Sequence, residues 1–359
     1  MSTDAPLVLP SRLASPQVQC LDPLETPAWD AFLSTFPGAT FFHTAAWARV
    51  LHETYRCRPL YFTAFRGDRL LALLPVMEMN SPLTGRRGVA LPFSDFCEPL
   101  DAEGLVSTAL VPAALEYGRQ KRWNYFEARG GREFFPDALP FLTFFSHELK
   151  LCRDETYLFS RFASATRRAV RKVEKSGVAI EISRDLQAVE NYYSLHCRTR
   201  RKHGLPPQPF AFFSSLQKQI LARKNGVVVL ARQAGRLVAG GIFFHFGDKA
   251  IYKFGASDPS LLELRGNNLV MWAAIKWYAG KGLKSLDFGR TSIGSEGLRR
   301  FKLGWGSDEK VVAYSRYDFR KRGFVSGTDH AHGWHNHVFR ALPLSLSRLI
   351  GSVLYRHVG

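Results

Sequence analysis

A mixed α/β fold, written twice in tandem, is what this sequence predicts, and three observations carry the prediction. AFRGDRLLALLPV (64–76) matches ARQAGRLVAGGIF (231–243), with Arg69-Leu70-Leu71-Ala72 falling on Arg236-Leu237-Val238-Ala239. LVPAALEYGRQKRWNYFEAR (110–129) matches LVMWAAIKWYAGKGLKSLDFGR (269–290), with Ala113-Ala114-Leu115 on Ala273-Ala274-Ile275 and Lys121 on Lys281. The two matches are offset by 167 and 160 residues, which is too long for a stacking repeat and suits a duplicated domain.

Each element follows from a local pattern. The first match reads in both copies as a hairpin, two apolar runs around a Gly-containing turn. The second reads as a helix with one apolar face, followed by a short buried strand that ends in an acid and an arginine. The second copy can be traced further: helices near 185–203 and 209–224, strands 226–232, 236–247 and 249–256, a helix 266–281, a strand 283–288 and a last strand near 309–319. That order gives a mixed sheet covered by helices. Between the copies, LFSRFASATRRAVRKVEKSG (158–177) places Phe162, Thr166, Ala169 and Val173 at helical spacing before Gly177, which reads as one connecting helix. The expected divisions are 20–152, a basic connector 153–177, a second domain 178–320 and a tail 321–359.

Composition narrows the function classes. At 359 residues the chain exceeds the ~250–300 residues at which a single core stops growing. A hydrophobic content of 46% argues against extended disorder. Forty-nine Lys and Arg against 31 Asp and Glu give a net charge of +18, which favours anionic partners such as nucleic acid, nucleotide phosphates or an anionic membrane surface. Cys20, Cys57, Cys97, Cys152 and Cys197 show no CxxC spacing, so no zinc site or disulfide framework is indicated. The start MSTDAPLVLPSRLASPQ lacks the features of a secretory signal, and no apolar run approaches the ~20 residues that span a bilayer. The expected location is cytoplasmic, with peripheral contact at the inner membrane face as an option, and the expected state is a monomer.

The two-copy layout, FFHTAAW (41–47), LPFSDFCEPL (91–100), the basic connector, RRKHGLPPQPF (200–210) and LDFGR…LRRFKLGWG (286–306) together resemble the Fem family, over about residues 25–320. The resemblance implies two domains of the Gcn5-related N-acetyltransferase (GNAT) type and a transferase in which an amine attacks an activated acyl group. It places the chain near an acetyltransferase-like branch associated with cellulose and exopolysaccharide synthesis. Acyl-CoA is implied there, slightly ahead of the aminoacyl-tRNA used by the peptidoglycan branch. Neither is tightly bound. The acceptor would be an amine of an envelope-glycan precursor, nucleotide sugar or exopolysaccharide sugar. The long helical arm by which some members engage tRNA is missing, because Leu205-Pro206-Pro207-Gln208-Pro209 interrupts its place.

Acyl transfer to an amine needs a neutral nucleophile, donors for the oxyanion, and groups that hold phosphates. Lys302 follows Phe301 among Gly297, Gly304 and Gly306, and the matching Phe-Lys pair of the family lies in the active-site channel. The alternative is a lysine in a solvent-facing turn. Asp287 and Arg290 close a strand, where ligands bind in open sheets. The acid could take a proton through water and the arginine could hold a carboxylate or phosphate, unless the two serve only to fix the turn. Arg265, Gly266, Asn267 and Asn268 open a helix after Tyr252 and Lys253. The resemblance makes that terminus a phosphate site, and N-capping by an Asn is the competing reading.

Basic residues supply further candidates. Arg167, Arg168, Arg171 and Lys172 on the connector suit a phosphate-rich ligand or a solvated face, and Arg198 and Arg201 extend the same tendency. In the first copy, His43 and Trp47 lie four apart on an expected helix, and Asp95 sits in a Pro-bounded loop. The resemblance assigns precursor binding to this copy, with core packing as the alternative for His43. The strand of the first copy, Tyr125-Phe126-Glu127-Ala128-Arg129, is followed by GGREFFPDALPF without Phe-Lys or Gly-Trp-Gly, so catalysis is expected in the second.

Two features point elsewhere. Asp-Phe-Gly alone does not make a kinase, because the Gly-rich loop, the lysine strand and the His-Arg-Asp loop are absent. His330, His332, His335 and His337 lack a fixed zinc spacing, and no metal is expected. At the end, Leu342, Leu346, Leu349, Ile350, Val353 and Leu354 share a helical face that either docks on the protein or lies on an anionic leaflet. A different class of function, a non-catalytic basic module for RNA or membrane on the same duplicated fold, stays open at this stage.

Overall fold

The computed structural model describes residues 15–136, 138–327 and 339–358. In the first half, β1 (Gln17–Leu21), α1 (Trp29–Ser34) and α2 (Ala45–Tyr55) precede β2 (Arg58–Arg66), β3 (Arg69–Ser81), β4 (Gly85–Val89) and the two-residue β5 (Leu100–Asp101). Then come α3 (Val111–Gln120), β6 (Tyr125–Arg129) and β7 (Leu142–Lys150). The second half runs α4 (Glu155–Arg161), α5 (Ser164–Glu174), β8 (Ala179–Ser183), α6 (Leu186–Lys202), α7 (Phe210–Leu216), β9 (Gly226–Gln233), β10 (Arg236–Phe246) and β11 (Lys249–Ser257). It continues with α8 (Gly266–Gly280), β12 (Ser285–Ser292), α9 (Glu296–Leu303), β13 (Asp308–Asp318), β14 (Gly323–Val325) and α10 (Leu344–Leu354).

The sequence repeat is a structural repeat. β2 and β3 form one hairpin and β9 and β10 the other, so Arg69 and Arg236 each open the returning strand. Likewise α3–β6 and α8–β12 are the two helix–strand pairs. The expected connecting helix does not form as one piece. It breaks at Phe162-Ala163 into α4 and α5, because Phe162 turns inward against Trp272 and Trp305.

The two halves share a single sheet, with strand order β1-β2-β3-β4-β6-β13-β7-β12-β11-β10-β9-β8. Near its middle the halves exchange their last strands. β7, which follows β6 in sequence, pairs with β12, and β13, which follows β12, pairs with β6. β13 and β7 pair with each other antiparallel, Asp308 opposite Glu148 and Tyr314 opposite Leu142. The expected divisions 20–152 and 178–320 therefore each donate a strand to the other's sheet.

A second joint is aromatic. FFHTAAW is not one helix: Phe41–His43 is a 3-10 turn, and α2 begins only at Ala45. Phe41 stacks on Phe244 of β10 at 4.6 Å, and Trp47 meets Phe212 of α7 edge-on at 6.1 Å. One hydrophobic core consequently runs from the first half into α6, α7 and β10. Rings in such edge-to-face pairs add to the gain from area burial alone.

α10 ties the halves together on the outside. Ser347 and Gly351 face the protein, and a Cβ on Gly351 would lie 2.0 Å from the Pro207 carbonyl oxygen. Tyr355 donates to the Pro206 carbonyl at 3.1 Å and accepts from Arg200 at 2.7 Å. Beyond the helix, the His357 carbonyl accepts from Arg87 and Thr84 of the first half. Among the described residues no helix is long and apolar enough to cross a membrane.

With strands exchanged and a core in common, the halves should unfold together. Tryptophan fluorescence and far-UV circular dichroism are expected to report one transition with coincident midpoints. Two resolved transitions would contradict the shared-sheet account.

Candidate active site

The site lies where the two half-sheets meet. β11 and β12 run parallel but pair only from Lys249–Ile251 to Ser285–Asp287. Past that point the pairing stops while each strand continues, to Ser257 and Ser292, which opens the sheet's hydrogen-bond ladder. On its other edge β12 pairs with β7, and the register slips between Asp287 and Arg290. Gly289 sits in this bulge at φ +71°, a conformation that favours glycine. β12 thus continues to Ser292, and Asp287 and Arg290 flank a mid-strand bulge instead of closing the strand as expected.

The bulge organises Asp287. Its Oδ1 accepts from the Gly289 backbone N–H at 2.6 Å, and its Oδ2 accepts from the Ser146 hydroxyl of β7 at 3.1 Å. Burial pushes its pKa up to about 7; the Gly289 N–H opposes the rise and the nearby Asp95 carboxylate adds to it.

Lys302 comes from α9, a regular helix, and does not sit in a solvent-facing turn. It is buried, 3% exposed, and its Nζ donates to the carbonyls of Gly289 and Arg290 at 2.7 and 3.0 Å. Burial lowers its pKa to about 8 against the pull of Asp95 and Asp287. The Gly-Trp-Gly that follows is a packing device. A Cβ on Gly304 would lie 2.5 Å from the Thr166 hydroxyl, and one on Gly306 would lie 2.9 Å from the Arg161 carbonyl. Trp305 seats against Phe162 at 5.0 Å and Phe301 meets Trp305 edge-on. These contacts set α9 against α4 and α5 and so fix where Lys302 points.

The first half reaches this site through its 91–99 loop. Asp95 lies against Gly289, at whose α-carbon a Cβ would stand 3.1 Å from the carboxylate. The same carboxylate accepts from Lys253 Nζ at 2.9 Å, and burial lowers the Lys253 pKa while Asp95 opposes that shift. The Asp95 carbonyl accepts from the Tyr314 hydroxyl of β13, which in turn accepts from Arg290 at 2.7 Å. Arg290 is exposed as a residue, but its guanidinium lies over the Phe144 ring at 4.5 Å. Beside it, Glu127 is held by Arg129 and Arg316. Burial alone would raise its pKa, but the two guanidiniums outweigh this and keep it below the usual range.

Of the residues expected from sequence, Asp95, Lys253, Asp287, Arg290 and Lys302 come together here. Phe301 packs beside them, and Tyr252 stacks inward on Phe243 at 5.0 Å. His43 and Trp47 do not join. Both are sealed in the core; His43 bonds to Thr40 and to the Glu98 carbonyl, and burial pushes its pKa down to about 4. The structure thus corrects their expected contact with substrate: no solvent reaches them.

The remaining basic candidates lie elsewhere. Arg168, Arg171 and Lys172 are exposed on α5, while Arg167 donates to the Ser160 carbonyl. Arg198 and Arg201 line a separate recess of about 490 Å³ with Lys202 and Asp258, and Asp258 engages Arg198 at 2.7 Å. At the start of α8, Arg265 occupies the N-cap at φ 54°, and neither Asn267 nor Asn268 caps the helix through a side chain. Gly266 instead lets α8 approach β10, since a Cβ there would lie 2.6 Å from Val238. The four tail histidines, His330, His332, His335 and His337, fall outside the described residues, among which no group of three or more His, Cys, Asp or Glu could hold a metal.

Sequence reasoning did not find Tyr314, Ser146 or Phe144. Nothing local marks them, because they reach the site through strand register. Glu127 and Arg129 were visible as the repeat counterparts of Asp287 and Arg290, and β13 and β7 lie between the two pairs.

Comparison with known proteins agrees with this architecture. Residues 160–309 match the family described as "Acetyltransferase (GNAT) domain". None of the curated proteins matches in sequence. Among solved structures, FemX superposes with a TM-score of 0.68 at 14% identity, covering 85% of this chain and 98% of that one. A tandem GNAT protein of the clavulanic acid biosynthesis pathway gives 0.55 at 10% identity, covering 85% and 98%. L-PGS from Bacillus licheniformis gives 0.52 at 13%, covering 92% and 96%. The chain thus carries a segment at 160–309 that matches the GNAT family model, and its overall fold is that of FemX and of the tandem GNAT protein.

Proposed function

We propose that the protein is an N-acyltransferase whose donor carbonyl enters the opening between β11 and β12 and meets an amine beside Asp287 and Arg290. The observation that carries this reading is the Asp287 carboxylate, held at the Gly289 bulge with its pKa raised to about 7, where a base can take a proton from an ammonium group near neutral pH. The freed amine attacks the acyl carbon. As the new C–N bond forms, the bond to the donor's sulfur or oxygen breaks, and the leaving group departs with a proton. Arg290, kept charged and held between Tyr314 and Phe144, meets the developing oxyanion or a substrate anion. Lys302 fixes the bulge by holding two of its carbonyls.

For the donor, acyl-CoA is favoured over aminoacyl-tRNA. The start of α8 carries no side-chain cap and adjoins Arg265, so its first N–H groups and its dipole suit a phosphate. The acceptor proposed from the family resemblance is an amine on an envelope precursor or exopolysaccharide sugar, approaching past the Asp95 loop.

CoA should raise the melting temperature in a concentration-dependent way; stabilisation only by charged tRNA, with steep salt dependence, would move the donor to aminoacyl-tRNA. Lys302→Ala should lower turnover on the order of 10²-fold while CoA still binds. Equal loss of binding by Lys302→Ala and by neutralising Arg167 and Arg168, without turnover, would instead indicate a basic binding module.

Asp287→Asn should abolish the acidic limb of the rate profile near pH 7. It should also change stability in a defined direction. The folded pKa is raised from 3.8 to about 7, so the group's contribution is complete below about pH 4 and is lost as pH rises through 7. The Asn variant is therefore expected to melt above the parent at pH 8, with the gain shrinking toward pH 4. A variant that melts lower at pH 8 than at pH 4, relative to the parent, would remove the buried-carboxylate account.

A further inference from the structure

α10 is built inside out. Its two fully buried positions are small, Ser347 and Gly351, and only Leu344 and Tyr355 at its two ends pack half-buried against the core. The side it turns to solvent carries its large ones: Leu346 is 43% exposed, Leu349 63%, Val353 56% and Leu354 37%. These positions, spaced by three and four, make one continuous stripe. A helix held only for stability would place leucine inward, since burial of such side chains is what stabilises a docked helix. The stripe continues past the helix end to Val358, 40% exposed, and to Leu83 at 72%. Leu83 lies beside this end because Thr84 bonds to the His357 carbonyl.

The terminal segment 339–358 carries arginines and no acid. Arg340, Arg348 and Arg356 belong to the same terminal segment, and Arg201 and Lys202 line the recess next to Arg340. Arg348 leans over the Tyr193 ring at 5.2 Å, so its charge lies at the helix flank. Two acids adjoin this rim: Glu190, which shares a groove with Arg348, and Asp258, which lines the recess with Arg340 and is already engaged by Arg198. An apolar ridge in a cationic rim complements a bilayer that carries anionic headgroups, because the ridge enters the acyl boundary while the rim meets the phosphates. A protein partner with an apolar groove would also need a matching ring of acids.

The structure assigns to α10 and the adjoining Leu83 turn the role of a monotopic docking surface for an anionic lipid bilayer. The helix is rigidly coupled to both halves through Tyr355 and His357, and Tyr355 also touches Phe93 in the loop that bears Asp95. Membrane docking would therefore orient the opening between β11 and β12 with respect to the bilayer. This inference does not depend on the proposed chemistry.

The test is flotation of the full chain with phosphatidylcholine vesicles containing one quarter phosphatidylglycerol, and with phosphatidylcholine alone. Leu349→Ser/Val353→Ser serves as the variant, since neither side chain is buried. Binding to the anionic vesicles, weakened at least tenfold by the double variant at unchanged melting temperature, is the expected result. Four results overturn the proposal: no binding to either vesicle; binding that salt abolishes and the double variant leaves intact; a parent dimer by light scattering that the double variant converts to monomer, which makes the face a contact between copies; or a lower melting temperature in the variant without vesicle binding, which means the chain itself covers the stripe.

Discussion

The hydrogen-bonded placement of β13 between β6 and β7 is the constraint on which everything else in this molecule rests. Through it, β7 is released to pair with β12, so the bulge at Gly289 is formed against a strand contributed by the other half. Tyr314 sits on β13 opposite both Leu142 and Arg129, and its hydroxyl joins Arg290 to the Asp95 loop. Were the strands not exchanged, Ser146 would not face Asp287 and the first half's loop would have no anchor beside the opening. The site is a product of the junction and belongs to neither copy alone.

That junction also explains how buried charge is tolerated. An ionised group removed from water is costly unless partners surround it. Asp287 has a backbone N–H and a hydroxyl, Lys302 has two carbonyls, and Lys253 has Asp95. The compensation is partial, which is why the Asp287 and Lys302 pKa values are drawn toward each other, to about 7 and about 8. A buried group poised near neutrality is a burden on folding, and perturbed values of this kind cluster at functional sites in general.

Much of the fold was legible in the sequence because its signals are local. The hairpins at 64–76 and 231–243, the apolar run of α8 and the spacing of α6 need only a window of residues. What escaped needs distant partners. The connector breaks at Phe162 because Trp272 and Trp305 draw that side chain inward. Gly304 and Gly306 suggested flexibility, yet they exist so that α9 can lie close to Thr166 and Arg161. In the site, Asp287, Arg290 and Lys302 were visible as a compact segment carrying a family pattern. Tyr314 and Ser146 were not, since each is defined by register to a strand more than a hundred residues away in sequence or on the other half. His43 shows the converse error: a titratable residue in a recognisable stretch, FFHTAAW, whose role is to hold Thr40 and Glu98 in place.

The strand exchange has a consequence for how the chain is born. β6 is complete at Arg129, but its partner on one edge ends at Asp318. During synthesis at about 5–20 residues per second, that edge waits on the order of 10–40 s for its neighbour to emerge. β7 waits with it, since it ends at Lys150 and both strands that flank it in the finished sheet, β12 and β13, are made more than a hundred residues later. An open strand edge invites pairing with other chains. For this architecture the vulnerable period is therefore translation itself, and a nascent-chain chaperone that shields residues 125–150 would protect the part of the protein from which the site is later made.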